Sequence, residues 1–592
     1  MSELVIRNGT IVDGNGGEPF EADVHVVDGR IADVGLVAAR GAEEIDAKGK
    51  LVTPGFVDPH THYDAQVTWG NHINPSSWNG VTSVLIGNCG VGFAPCLPSQ
   101  RAMLIELMEG VEDIPEPVLS EGLPWNWQTF PQFLDALEAR RYDLDVATQV
   151  PHAALRVYVM GQRGADREDA TAADRERMAA LAAEGISAGA LGFSTSRTLN
   201  HRTLDGRPIP TLTAAEDELA AIAGAIGKLG TGWMQVIADF DDELEPEFAM
   251  LRRLSERSRR PVSVTVLERD SKPQEWRQLL DRIARANADG LPMLGQVLDR
   301  PTGIMLGFEI SQNPFMTCPS FEAVAALPFA RKMQALRDPA LRSKLIAERN
   351  TDDALGKRVA TWERIFELGD PPDYEPPAEA SVRARARREG IEPASLAYDL
   401  LLQDGGRKIL YRPLSNYAHG NLETVRQMMQ HPNTLVSLGD GGAHVGVLCD
   451  ASAPTYLLTH WTRDRTQGRF PVQWAVKRLS RDNARAIGLA AAEGRSSAAG
   501  RVSRDNARAI GLADRGVIAP GYKADLNVID YGRLRLHTPE VVYDLPAGGR
   551  RMVQRSEGYA ATIVSGAVVH RDGAPTGALP GRLVRGAQPG PA

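Results

Sequence analysis

The chain has 592 residues, 43% of them hydrophobic and 24% charged, with a net charge of −9. This acidic balance excludes a dedicated nucleic-acid binder and a polybasic membrane-surface protein. Four cysteines (Cys89, Cys96, Cys318, Cys449), none in a C-x-x-C pair, exclude a disulfide scaffold and point to a reducing cytoplasm. No basic leader opens the chain and no apolar run reaches bilayer length, so no membrane partner is expected.

In chain order, residues 4–7, 10–13, 23–27, 30–34 and 44–46 read as short strands. Asn8-Gly9 and Asp28-Gly29 punctuate them as hairpin signals. Residues 524–530, 562–564 and 567–570 repeat the style, with Ser565-Gly566 and Asp572-Gly573 as turn pairs. The two ends, 1–54 and 515–592, are expected to form one small β-sandwich around an inserted domain.

That domain, 55–480, alternates strands and helices. A strand leads to His60, and further strands are expected at 81–86, 146–150, 190–193, 233–237, 262–267, 293–297 and 435–438. Helices at 172–183, 214–229, 245–258 and 274–287 lie between them. Eight such alternations predict an α/β fold, a TIM-type (β/α)8 barrel whose active site lies at the C-terminal strand ends. Residues of about 320–410, between the seventh and eighth strands, are too long for a plain connection. They read as a helical insertion over the barrel mouth. In 481–514 a duplication stands out: SRDNARAIGLA occurs at 480–490 and again at 503–513. Two copies do not make a repeat architecture, so only one is expected to occupy the native helix position.

The chemistry-bearing residues fall at the expected strand ends. His60 and His62 are two apart, and residues i and i+2 of a strand face one side. Imidazole is the commonest zinc ligand. Cys89, between Gly87-Asn88 and Gly90, offers a thiolate on a tight backbone path. Asp440 follows the eighth strand, placed to bind a metal and to take a proton from a water whose pKa the metal lowers from 15.7 to about 7. His152, His201 and His444 lie just beyond strand ends, where each would orient substrate or donate to an oxyanion. Arg197 and Arg202 are candidates to bind a substrate carboxylate through a bidentate fork.

The stretches Gly55-Phe56-Val57-Asp58-Pro59-His60-Thr61-His62, Gly80-Val81-Thr82 through Gly87-Asn88-Cys89-Gly90, and Ser437–His444 together resemble the amidohydrolase superfamily, in particular its D-aminoacylase (N-acyl-D-amino-acid deacylase) branch. Arg515-Gly516-Val517 through Asp525-Leu526 resembles that branch's return into the β-sandwich, so the likeness spans nearly the whole chain. It implies a zinc enzyme acting on small N-acyl-D-amino acids, with Cys89 in the bridging role and Asp440 as general acid/base. The branch also takes a histidine from the fifth and from the sixth strand end. Here 233–237 and 262–268 contain none, and the fourth strand has no lysine. One zinc ion held by His60, His62 and Asp440 is therefore expected, with Cys89 as fourth ligand or close neighbour; two ions stay open. The competing readings are a cyclic-amide hydrolase of the hydantoinase or dihydropyrimidinase kind, and a non-catalytic scaffold on the same barrel.

Overall fold

In the computed structural model, which describes residues 3–240, 244–348, 350–487 and 511–591, both chain ends share one nine-stranded sheet. Leu51–Pro54 joins them, pairing parallel with Glu3–Ile11 and antiparallel with Leu526–Ile529. The sheet curls on itself. Its edge strand, Arg30–Gly35, returns to touch Lys523, and Leu4, Ile6, Val24, Val52, Leu526 and Ile563 fill the interior. Asp28-Gly29, Ser565-Gly566 and Asp572-Gly573 carry positive φ at both residues, as a type I′ hairpin turn requires. Asn8-Gly9 does not turn the chain. It makes a bulge within the single strand Glu3–Ile11, with Asn8 at φ 58°. A Cβ at Gly9 would lie 2.4 Å from Val52 Cγ2, so this glycine answers to the neighbouring strand.

The barrel strands are Phe56–Asp58, Val81–Ile86, Asp145–Pro151, Gly192–Arg197, Trp233–Ala238, Val262–Thr265, Met293–Val297 and Thr434–Val436, parallel and in sequential order. The first and eighth meet through a Thr61–Gly441 bridge. Asn483 staples them below by donating to Val57 O and Val436 O. Val57, Leu85, Ala147, Trp233 and Leu435 pack together as an apolar floor. Two residues further along their strands, the same side turns polar, with Gln149 and Gln235 fully buried. Gln296 of the seventh strand joins this polar layer. No helix among the described residues is long and apolar enough to cross a membrane.

The outer helices carry ordinary end signals. Ala172–Ser187 opens on a capping box in which Thr171 and Asp174 satisfy each other's backbone N–H. Thr171→Ala should lower unfolding stability by about 1 kcal/mol, measured by urea titration; an unchanged midpoint would contradict the cap's role.

The insertion between the seventh and eighth strands starts earlier than expected and is not wholly helical. Gly303–Leu306, Phe366–Glu367 and Leu410–Pro413 form a three-stranded antiparallel sheet beside the helices. Pairings so far apart in sequence leave no local signal. Ile304, Phe308, Phe315, Phe321 and Tyr398 give the insertion its own core. It leans on the loop after the eighth strand, where Met305 N donates to Val447 O at 2.9 Å.

The expected duplicated segment at 481–514 falls largely on 488–510, outside the described residues. Residues 480–487 of the first copy occupy the helical position beside the barrel, and 511–513 of the second copy follow on. Leu512 N donates to Ala484 O. A Cβ on Gly511 would lie 3.3 Å from Ile487 O, so the two ends adjoin. Deleting 488–510 restores one uninterrupted SRDNARAIGLA. The shortened chain should keep its fold and turnover; loss of either would show that the second copy has a role.

Candidate metal centre

His60 and His62 leave the first strand where the barrel closes. Asp58 Oδ1 accepts from His60 N at 3.0 Å. His62 N donates to Gly441 O, and Asp440 N donates to His60 O. The loop carrying Asp440 is thereby sewn to the two histidines. His60 Nδ1 lies 2.7 Å from Gln296 Oε1 of the seventh strand. His62 Nδ1 lies 3.0 Å from Glu112 Oε1, at the end of helix Arg101–Glu112. The Gln296 oxygen beside His60 Nδ1 favours a proton there and leaves Nε2 as the ligating atom, the usual support for a metal-binding histidine; Glu112 faces His62 Nδ1 as an ion-pair contact without hydrogen-bond geometry.

Cys89 reaches the same place by a left-handed turn, with φ 76° at Gly87, 54° at Cys89 and 70° at Gly90. A Cβ on Gly87 would lie 2.4 Å from Gln149 O, so the backbone has no room for a side chain there. Asp440 (φ 42°) and His444 (φ 46°) are also left-handed. For non-glycine residues such conformations cost about 1–3 kcal/mol each and cluster at functional sites.

Candidate ligand atoms of His60, His62 and Cys89 lie within 4.8 Å of one another. Two ligands about 2.1 Å from a tetrahedral zinc are roughly 3.4 Å apart. Here Cys89 Sγ is 3.3 Å from His60 Nε2. Asp440 Oδ1 is 3.5 Å from His60 Nε2 and 3.8 Å from His62 Nε2. That oxygen is buried and has no hydrogen-bond partner. The donor set fits one zinc ion.

Electrostatics sharpen the site. Burial drives the His60 imidazole down to about 3. For His62 burial is outweighed by the Glu112 carboxylate, and its net shift is well above the ordinary value. Glu112 goes down to about 2, because the His62 charge overcomes its own burial. Burial pushes the Cys89 thiol up to about 11 and the Asp440 carboxyl well above the usual range. Metal affinity should therefore climb with pH, since protons on His62 and Cys89 must leave. A pH-independent affinity, read by competition with a chromophoric chelator, would contradict this.

Of the five other sequence candidates, two lie close to His62 and Glu112 and three do not. His201 is buried, its Nδ1 2.9 Å from Ser196 Oγ, and burial lowers it to about 3. His444 is lowered by burial too. Both rings feel the charges of His62 and Glu112. His152 is instead committed to the fold. Its Nδ1 meets Thr195 Oγ1 and its Nε2 meets Glu218 Oε1, each at 2.8 Å, and Arg156 pairs with the same Glu218. Arg197 grips Glu247 through two nitrogens and donates to Ala214 O. Its fork is therefore spent on a helix and not open to a substrate carboxylate. Arg202 is exposed and bonded to Leu199 O and Gly206 O. Glu112 and Gln296 were not anticipated. Glu112 had a readable signal: it continues the apolar stripe Leu104–Met108 at four-residue spacing, where an acid needs a partner. Gln296 had none.

The family model described as "Amidohydrolase family" matches residues 43–570. An uncharacterised protein of Mycobacterium tuberculosis is 27% identical over 616 aligned residues, covering 96% of this chain and 92% of its own. N-acyl-D-aspartate deacylase of Alcaligenes xylosoxydans xylosoxydans is 32% identical over 294 residues, 49% of this chain and 54% of that enzyme. A solved structure of N-acyl-D-glutamate deacylase from Bordetella bronchiseptica, complexed with zinc and a phosphonate inhibitor, aligns over 98% of this chain and 99% of its own. Its TM-score is 0.63 at 22% identity, a likeness of fold.

Proposed function

Because the chain belongs to the amidohydrolase family, we propose that it is a zinc-dependent hydrolase of linear amides, converting N-acyl-D-amino acids to a carboxylate and a free D-amino acid. The observation that carries this reading is the clustering of His60, His62 and Cys89, with the unpartnered Asp440 Oδ1 3.5 and 3.8 Å from the two imidazoles. The D-aspartate relative and the zinc-bound D-glutamate structure support the substrate class.

His60, His62 and Cys89, with Asp440 beside them, would hold the ion. When bound, zinc supplies a Lewis acid for the acyl carbonyl and lowers the pKa of water at the site. Asp440 Oδ1 takes the proton of the attacking water and passes it to the departing amine nitrogen. Gln296 and Glu112 hold the two imidazoles in the ligating orientation. In the tautomer where Ser196 Oγ–H donates to Nδ1, His201 carries its proton on Nε2 and can donate to the carbonyl oxygen as it gains charge.

The test is a metal analysis joined to a substrate panel. Protein expressed with zinc should carry about one ion per chain and lose turnover on chelation, regaining it with zinc. N-acyl-D-amino acids should be hydrolysed in preference to N-acyl-L-amino acids, hydantoins and dihydropyrimidines. Metal-free protein from zinc-replete cells would favour a non-catalytic scaffold instead, and turnover of the cyclic amides alone would replace the substrate class.

A further inference from the structure

We infer that Gln235 sets the number of metal ions at this centre, by presenting an amide N–H2 where a second ion would otherwise sit. The inference rests on the zinc reading above and concerns the side of the site that the known ligand set leaves open.

Gln235 lies on the fifth barrel strand and is fully buried. Its Oε1 accepts from Cys89 N at 2.9 Å. A backbone N–H can only donate, so this contact decides which end of the amide is which. The oxygen is spent on the loop that carries Cys89. What remains beside that loop is the Nε2 group, buried and without an acceptor. The amide thus turns the positive end of its dipole outwards. Such a group disfavours a cation and favours an oxygen, whether of water or of substrate.

The neighbouring sixth strand supplies no stronger donor. Its inward groups are Ser263 Oγ and Thr265 Oγ1, both buried and without partners. Neutral hydroxyls are not among the ligands zinc favours, which are thiolate, imidazole and carboxylate. The fourth strand, Gly192–Arg197, carries no lysine. Cys89 is then a ligand to one ion and not a bridge between two. Gln235 and its register partner Ser263, with Thr265, are buried and each carries a polar atom without a partner, which suits an oxygen better than a cation.

Gln235→Glu tests this with almost no change of shape. One carboxylate oxygen can still accept from Cys89 N, while the other replaces the N–H2 with an anionic ligand. Zinc per chain is counted by elemental analysis and native mass spectrometry after equilibration with excess zinc. Wild type should saturate at about one ion and Gln235→Glu at about two. Gln235→His, which offers an imidazole at the same position, should also reach two and guards against a variant that does not fold. Wild type binding two ions, or folded variants remaining at one, would overturn the inference while leaving the zinc reading intact. Wild type binding none would instead fail the zinc reading itself.

Discussion

Asp440→Asn should lower kcat by about 10²–10⁴-fold, the range for removing a general acid–base, while zinc stays bound. The substitution keeps the shape and the left-handed backbone at φ 42°, a conformation in which asparagine is as well tolerated as aspartate. The main-chain bond from residue 440 to His60 O does not involve the side chain, so the closure of the barrel survives. His60, His62 and Cys89 remain to hold the ion. What disappears is the basicity of the buried, partnerless carboxylate poised 3.5 and 3.8 Å from the two ligating nitrogens. An amide cannot take up the water's proton, so kcat should fall with little change in KM. Zinc content measured on the same preparation separates loss of a proton acceptor from loss of the metal. Retained turnover would remove Asp440 from the mechanism.

Glu112→Gln should weaken zinc binding by about 10–100-fold, the range for removing the outer partner of a metal-binding histidine. Glu112 is 1% exposed and the His62 ring lies 3.0 Å away. A glutamine keeps the size of Glu112 and an oxygen beside Nδ1, so the ring orientation is largely kept. The negative charge that makes the imidazole a stronger ligand is lost. Competition against a chelator of known affinity reads the effect directly, and circular dichroism checks the fold. An unchanged affinity would make Glu112 a packing residue only.

The barrel was readable because its strands alternate with helices of clear periodicity. The floor residues and the polar layer above them obey the two-residue repeat of a strand. Local chemistry also marked the hairpins, since Asp-Gly and Ser-Gly pairs tolerate positive φ. The same reasoning misjudged Asn8-Gly9, where the glycine serves a close approach to Val52 and a bulge, not a turn. The insertion's sheet was invisible for another reason: Gly303–Leu306 and Leu410–Pro413 pair across most of the insertion, and each is only four residues long.

The site divides along the same line. His152 and His201 both follow strand ends, and nothing local tells them apart. Glu218, on the helix Glu216–Leu229, claims the first for the fold, while the second lies near enough to Glu112 and His62 to feel their charges. Likewise Arg197 was a plausible carboxylate clamp until Glu247 took its guanidinium.

The sequence alone pointed to His60 and His62 on one side, to Cys89 on a glycine-bound turn and to Asp440 beyond the eighth strand. These are consequences of short-range geometry, the two-residue period of a strand and the steric freedom of glycine. Only the tertiary structure decided what stands beside the Nδ1 atoms, because Gln296 and Glu112 come from distant elements. It alone decided which end of Gln235 faces the centre, because the backbone N–H that orients it belongs to another strand's loop. Hydrogen-bond direction at a buried site is set by partners brought together in space, and no spacing along the chain encodes it.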